Sequence, residues 1–224
     1  MSIGQRAGGE RVRKIPREGD ALLVVDVQND FLPGGALAVP RGDEVIAPLN
    51  DCLHRFAQRH LPVFVTRDWH PQQHCSFRDQ GGPWPPHCVA GTRGAAFAAG
   101  LQVPSGAHVI SKAIRPEAEA YSAFQGTDLA LQLRKAGVRC VVIGGLATDY
   151  CVRATALDAL AAGFAVVLLA EAVRAVDLHP GDGTRALAEM RARGAQIVTE
   201  TRAATKQRRA QMASKTGSRH RDGR

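Results

Sequence analysis

"RCVVIGGLATDYCVRATALDALAAG" (139–163) decides the fold. Its first part, 139–145, is apolar on every side from Cys140 onward and ends in two glycines. A short turn follows, and then 149–163 reads as a helix. Val152, Thr155, Ala156, Ala159 and Leu160 fall on one stripe of it, and Gly163 stops it. A strand buried on both faces that passes straight into a helix is the repeating unit of a parallel sheet wrapped by helices. Working outward, the unit recurs. Upstream lie a strand at "ALLVV" (21–25) and a helix over 43–59 with Val45, Ile46, Leu49, Leu53 and Phe56 on one face. Strands at "PVFVT" (62–66) and "HVIS" (108–111) come next, then a helix at "LALQLRKAG" (129–137). Downstream lie "AVVLL" (165–169), a helix near 183–193 and "QIV" (196–198). The expectation is a single α/β domain, a mostly parallel sheet with helices on both faces in Rossmann-type layering.

The chain has 224 residues and a formal charge of +8, but that charge sits at the ends. Residues 1–18 hold five Lys/Arg against two Asp/Glu, and 202–224 hold eight against one, whereas 19–201 hold sixteen against eighteen. The domain is therefore placed at 19–201, between a flexible basic N-terminal extension (1–18) and a basic tail (202–224). The tail lacks apolar periodicity and reads as disordered. No aromatic residue interleaves with its charges, which disfavours nucleic acid as a partner. No apolar run approaches the ~20 residues of a membrane span, and no apolar segment follows the N-terminal charges as a secretory signal requires. Five scattered cysteines, Cys52, Cys75, Cys88, Cys140 and Cys151, argue for free thiols in a reducing, cytoplasmic setting. Assembly into a homo-oligomer stays open.

Ligands of open parallel sheets bind beyond the carboxyl ends of the strands. The residues found there are Asp26 after the first strand, Arg67-Asp68 after the second, Lys112 after the third, and Cys151 beyond "GGLATD" of the fourth. Singly each has a plain reading: a turn cap, a solvated lysine, a small core thiol. Together they form a nucleophile with its assistants. Cys151 opens a helix, where the macrodipole and Lys112 favour the thiolate. Asp26 can take the thiol proton and hand it to a leaving group, and the glycine-rich turn can aim N–H groups at an oxyanion. This set suits acyl transfer through a thioester.

About forty residues rich in Gly, Pro and His separate the second and third strands, a length that marks a functional loop. They include "DWHPQQHCSF" (68–77) and "WPPHC" (84–88). Asp68, His70 and His87, with His74 as a fourth candidate, suit one divalent transition metal: zinc, iron or manganese. A structural zinc site using Cys75 and Cys88 is the competing reading. Phe31, Trp84 and Tyr121 lie beside these groups in a chain with few aromatics, which points to a flat, apolar substrate. Packing of loop aromatics on the core is the competing reading.

"VVDVQNDFLPGGALAV", "DWHPQQHCSF", "WPPHCVAGT", "SKAIRPEAEAYSAF" and "GGLATDYCVRATALDA" together resemble the nicotinamidases of the isochorismatase-like cysteine hydrolases, over about residues 20–200. The resemblance implies a six-stranded sheet and hydrolysis of nicotinamide to nicotinate and ammonia in NAD salvage, with pyrazinamide as a further substrate. It implies Asp26, Lys112 and Cys151 as catalytic triad, and Asp68, His70 and His87 as metal ligands, with His74 a ligand in some members only. Phe31, Trp84 and Tyr121 would line the nicotinamide pocket. A cis Leu146–Ala147 bond would aim the Ala147 and Cys151 N–H groups at the oxyanion. The metal is expected to hold the pyridine nitrogen and so orient the carboxamide. Ala123 departs from a position where glycine is common. The alternative is a related cysteine amidohydrolase of the same fold acting on another small amide or a carbamoyl compound.

Overall fold

The structure, a computed structural model, describes residues 15–199. The basic tail, and the basic extension up to residue 14, lie outside the described residues. Six strands form one sheet: β1 (Asp20–Val25), β2 (Val63–Asp68), β3 (His108–Lys112), β4 (Cys140–Leu146), β5 (Ala165–Arg174) and β6 (Gln196–Val198). Their order is β3-β2-β1-β4-β5-β6, with every neighbouring pair parallel. Among the described residues four α-helices flank it: α1 (Ile46–Ala57), α2 (Leu129–Lys135), α3 (Arg153–Ala161) and α4 (Asp182–Ala192).

Alternation along β1 explains why both faces need helices. Leu22 and Val24 join a core with Leu49, Cys52, Leu53 and Phe56 of α1. Ala21, Leu23 and Val25 point the other way, into a core with Leu129 and Leu133 of α2, Ala156 and Ala159 of α3, and Ala186 and Met190 of α4. Each buried leucine contributes ~1.5–3 kcal/mol, so a two-sided apolar strand stays in place only with cover on both sides. Among the described residues no helix is long and apolar enough to cross a membrane. None of the five cysteines is in a disulfide.

The strand order reverses between β1 and β4, and such a switch point opens a crevice at the strands' carboxyl ends. Gly145 lets the two strands approach there. Its φ is +131°, and a Cβ would lie 2.0 Å from the Val25 carbonyl oxygen.

Several elements differ from the sequence expectation. Arg67, Asp68 and Lys112 are the last residues of β2 and β3 rather than the first beyond them, because those strands keep pairing through Asp68↔Lys112. The 43–59 helix begins with a 3-10 turn, Gly42–Val45. β5 runs on to Arg174, past a register shift opposite Ile143–Gly145 that an apolar-run reading stops short of. Cys151 lies in a π-helical turn, Thr148–Val152, that precedes α3 instead of in the first turn of an α-helix.

Candidate active site

Asp26, Lys112 and Cys151 meet at the switch point. Lys112, wholly buried, carries its Nζ to 3.0 Å from Asp26 Oδ2, 3.4 Å from Cys151 Sγ and 3.0 Å from the Ala120 carbonyl oxygen, and it also donates to Asp68 Oδ1. One ammonium therefore joins two carboxylates and the thiol. Its burial opposes the charge, but Asp26 and Asp68 raise its pKa well above the ordinary lysine value. Thr66 Oγ1 donates to Asp26 Oδ1 at 2.6 Å. Asp26 Oδ2 has no aligned donor, which leaves it a lone pair to receive a proton.

Burial raises the Asp26 carboxyl to about 6, against the lowering pull of Lys112 and Thr66. Burial also pushes the Cys151 thiol well up, further than Lys112 draws it down. Lys112 pulls toward the thiolate, as expected, but burial outweighs it, so the thiol needs a base to take its proton. Asp26, ionised at neutral pH and close by, can do so.

Asp68, His70 and His87 form a second buried group, with one ligand atom from each lying within 4.8 Å of the others. His70 Nδ1 is 3.3 Å from the Ala113 carbonyl and His87 Nδ1 is 2.8 Å from the Pro85 carbonyl. A carbonyl only accepts, so both Nδ1 atoms carry the proton and both Nε2 lone pairs are left for a metal. His70 Nε2 is buried without a hydrogen-bond partner, 3.7 Å from Asp68 Oδ2. Burial lowers the His70 pKa to about 4 despite Asp68, so the ring is neutral at pH 7. For Asp68, burial works against ionisation, but Lys112 and His70 hold its pKa below the ordinary carboxylate value. An orphaned imidazole nitrogen, a second free one and a carboxylate fit a divalent metal. The neighbouring grouping Asp26–Asp68–Cys151 already has its cation in Lys112.

His74 stacks 4.2 Å from His70, but both its nitrogens are engaged. Nε2 donates to the Ala118 carbonyl at 3.2 Å, and Nδ1 faces Ser76 Oγ at 2.7 Å. The structure places His74 beside the metal group, not in it. Cys75 and Cys88 are absent from the group too, and burial keeps the Cys88 thiol protonated.

Phe31, Trp84 and Tyr121 all line a cleft shared with Asp68, His70, His87, Ala147 and Cys151. Trp84 Nε1 donates to the Tyr121 hydroxyl at 2.9 Å. Tyr150 joins these aromatics, with its ring 5.3 Å from Trp84, and Leu37, Val39 and Val176 also line the cleft. The Leu146–Ala147 bond is cis. Asp26, Cys88 and Ala113 are non-glycine residues in left-handed backbone, at φ 49°, 46° and 52°, each in or next to the site. Such conformations cost ~1–3 kcal/mol each and persist only where the surroundings impose them.

Sequence reasoning missed Gln28, Thr66, Asp149 and Tyr150. Tyr150 had a signal, being adjacent to Cys151. Asp149 accepts the Val176 and Asp177 N–H groups at 3.0 and 2.9 Å and so ties the turn that carries Cys151 to the Val176 side of the cleft. Nothing local announces that contact.

A model of the isochorismatase domain family matches residues 20–202. The nicotinamidase of Escherichia coli K12 is 38% identical over 200 residues, covering 80% of this chain and 94% of its own. The nicotinamidase/pyrazinamidase of Mycobacterium tuberculosis is 42% identical over 190 residues, covering 80% and 97%. The crystal structure of the Pyrococcus horikoshii pyrazinamidase in complex with zinc superposes with a TM-score of 0.78 at 54% identity, covering 81% of this chain and 99% of that one.

Proposed function

The chain belongs to the isochorismatase family, and on that premise we propose that it is a nicotinamidase, which hydrolyses nicotinamide to nicotinate and ammonia through a thioester on Cys151. The observation that carries the reading is Lys112, whose one ammonium links the thiol–carboxylate pair to the carboxylate of the metal group. Attack and orientation are thereby built into a single cleft.

Asp26 takes the Cys151 proton as sulfur attacks the carboxamide carbon. The developing oxyanion lies toward the Ala147 and Cys151 N–H groups. Asp26 returns the proton to the departing nitrogen, and ammonia leaves. Water then enters, gives a proton to Asp26 and attacks the thioester carbon. Nicotinate departs as the proton passes back to sulfur. Lys112 remains charged throughout, holding Asp26 in place and offsetting charge on sulfur. The pKa of Asp26, about 6, suits a group that must both accept and donate near neutral pH. Phe31, Trp84, Tyr121 and Tyr150 grip the flat ring. A divalent metal held by Asp68, His70 and His87, zinc in the Pyrococcus relative, would supply a Lewis-acid point for the ring nitrogen. Pyrazinamide offers the same flat ring and carboxamide, and is proposed as a second substrate.

Ammonia release from nicotinamide by the purified protein tests this, with Cys151→Ala and a chelated sample beside it. Release lost in both is expected. A zinc-loaded protein that releases none would overturn the substrate.

A further inference from the structure

We infer that Gln28 is a positioning residue that sets the affinity of the metal group, because its side-chain amide stands in for a strand backbone and fixes Asp68. The inference rests on the reading of Asp68, His70 and His87 as metal ligands. β1 and β2 pair in parallel register through Val24↔Val65. β1 then turns away at Asp26, where φ is 49°, while β2 runs on to Asp68. The Asp68 peptide groups facing β1 would be left without a partner in a buried place. Gln28 folds back to supply one: Oε1 accepts the Asp68 N–H at 2.8 Å, and Nε2 donates to the Asp68 carbonyl at 2.8 Å. This is the two-bond pairing a neighbouring strand would make, carried out by a side chain.

The third bond makes the amide a junction. Its second N–H goes to the Ala95 carbonyl at 2.9 Å, so every polar position of a fully buried side chain is used. That stretch is tied to the same segment by Asp30 N–H to the Gly94 carbonyl at 3.0 Å and by Asn29 N–H to the Ala96 carbonyl at 3.0 Å. Asp30 Oδ2 in turn accepts the N–H of Cys88, next to His87, at 2.7 Å. Residues 28–30 therefore hold both ends of the metal group, Asp68 directly and His87 through Cys88. On the far side β3 pairs with Asp68 at Lys112. With its backbone held on both flanks, Asp68 can aim one oxygen at Lys112 and the other toward His70. A ligand aimed in advance binds more tightly than one that must be ordered on binding.

The test is the zinc dissociation constant, measured by competition with a chromophoric chelator and needing no amide hydrolysis. Gln28→Met keeps the length without the hydrogen bonds and is expected to weaken zinc by about ten- to a hundredfold. Gln28→Asn keeps the amide but withdraws it by one methylene, and should weaken zinc less; it also serves if the methionine variant does not fold. Leu133→Ala on α2, remote from the site, controls for a general loss of stability and should leave the constant unmoved. A Gln28→Met or Gln28→Asn constant within twofold of wild type would overturn the inference, as would an equal shift in Leu133→Ala. Wild-type protein that takes up no zinc would overturn the metal reading together with it. Normal zinc binding without nicotinamide turnover would overturn only the substrate.

Discussion

Replacing Thr66 by valine removes one hydroxyl and little else, and its effect should be confined to the pH dependence. In the site Thr66 Oγ1 donates to Asp26 Oδ1 at 2.6 Å, a bond that favours the carboxylate. Burial raises Asp26 to about 6, with Lys112 and Thr66 pulling the other way. A hydrogen bond to a charged group contributes ~1.5–3 kcal/mol, and a tenfold change in ionisation corresponds to ~1.4 kcal/mol, so its loss moves the acid limb from about pH 6 to about pH 7–8. The sign follows from the role: Asp26 accepts the thiol proton only when ionised, so activity falls as pH drops through its pKa. At pH 7 the ionised fraction falls from about nine-tenths to between about one-half and one-tenth, a two- to tenfold loss in kcat/KM. Near pH 9 the variant should match the wild type. The assay is kcat/KM for nicotinamide across that range, by ammonia release. A profile that superposes on the wild type, or one depressed equally at every pH, would refute the assignment of Asp26 as the base.

Three further outcomes are expected. Asp149→Ala frees Val176 and Asp177 from their two charged hydrogen bonds, and should raise KM about tenfold while kcat changes less than about threefold, in steady-state kinetics. Gly145→Ala drives a methyl group to within 2.0 Å of the Val25 carbonyl oxygen, and should lower stability by more than ~3 kcal/mol in denaturant unfolding. Chelation should abolish turnover until zinc is restored, and zinc at about a hundred times its dissociation constant should add ~2.7 kcal/mol, or about 5–10 °C in Tm, by calorimetry.

The parts of this protein legible in its sequence are those whose signals are local. All six strands announce themselves as apolar runs, and "QIV" matches β6 residue for residue. Asp26, Lys112 and Cys151 could be read together because strand ends share one edge of a parallel sheet. What escaped is mostly contact between distant residues. Gln28 meets Asp68 forty positions away, and Asp149 meets Val176 twenty-seven away, through backbone groups that any residue possesses. The helix end and the lysine beside Cys151 are visible in sequence, whereas the depth of burial that opposes their pull on the thiol is not. His74 shows the same limit: spacing brings it next to His70, but the carbonyl that occupies its nitrogen comes from Ala118, forty-four residues on.

Whether Cys151 carries the acyl group can be read by intact-mass spectrometry of enzyme acid-quenched during turnover. A fraction of the protein heavier by one nicotinoyl group, mapped to Cys151 and absent from an inactive Cys151→Ala variant, is expected. Turnover by Cys151→Ala at the wild-type rate, or an acyl group mapped to another residue, would contradict it.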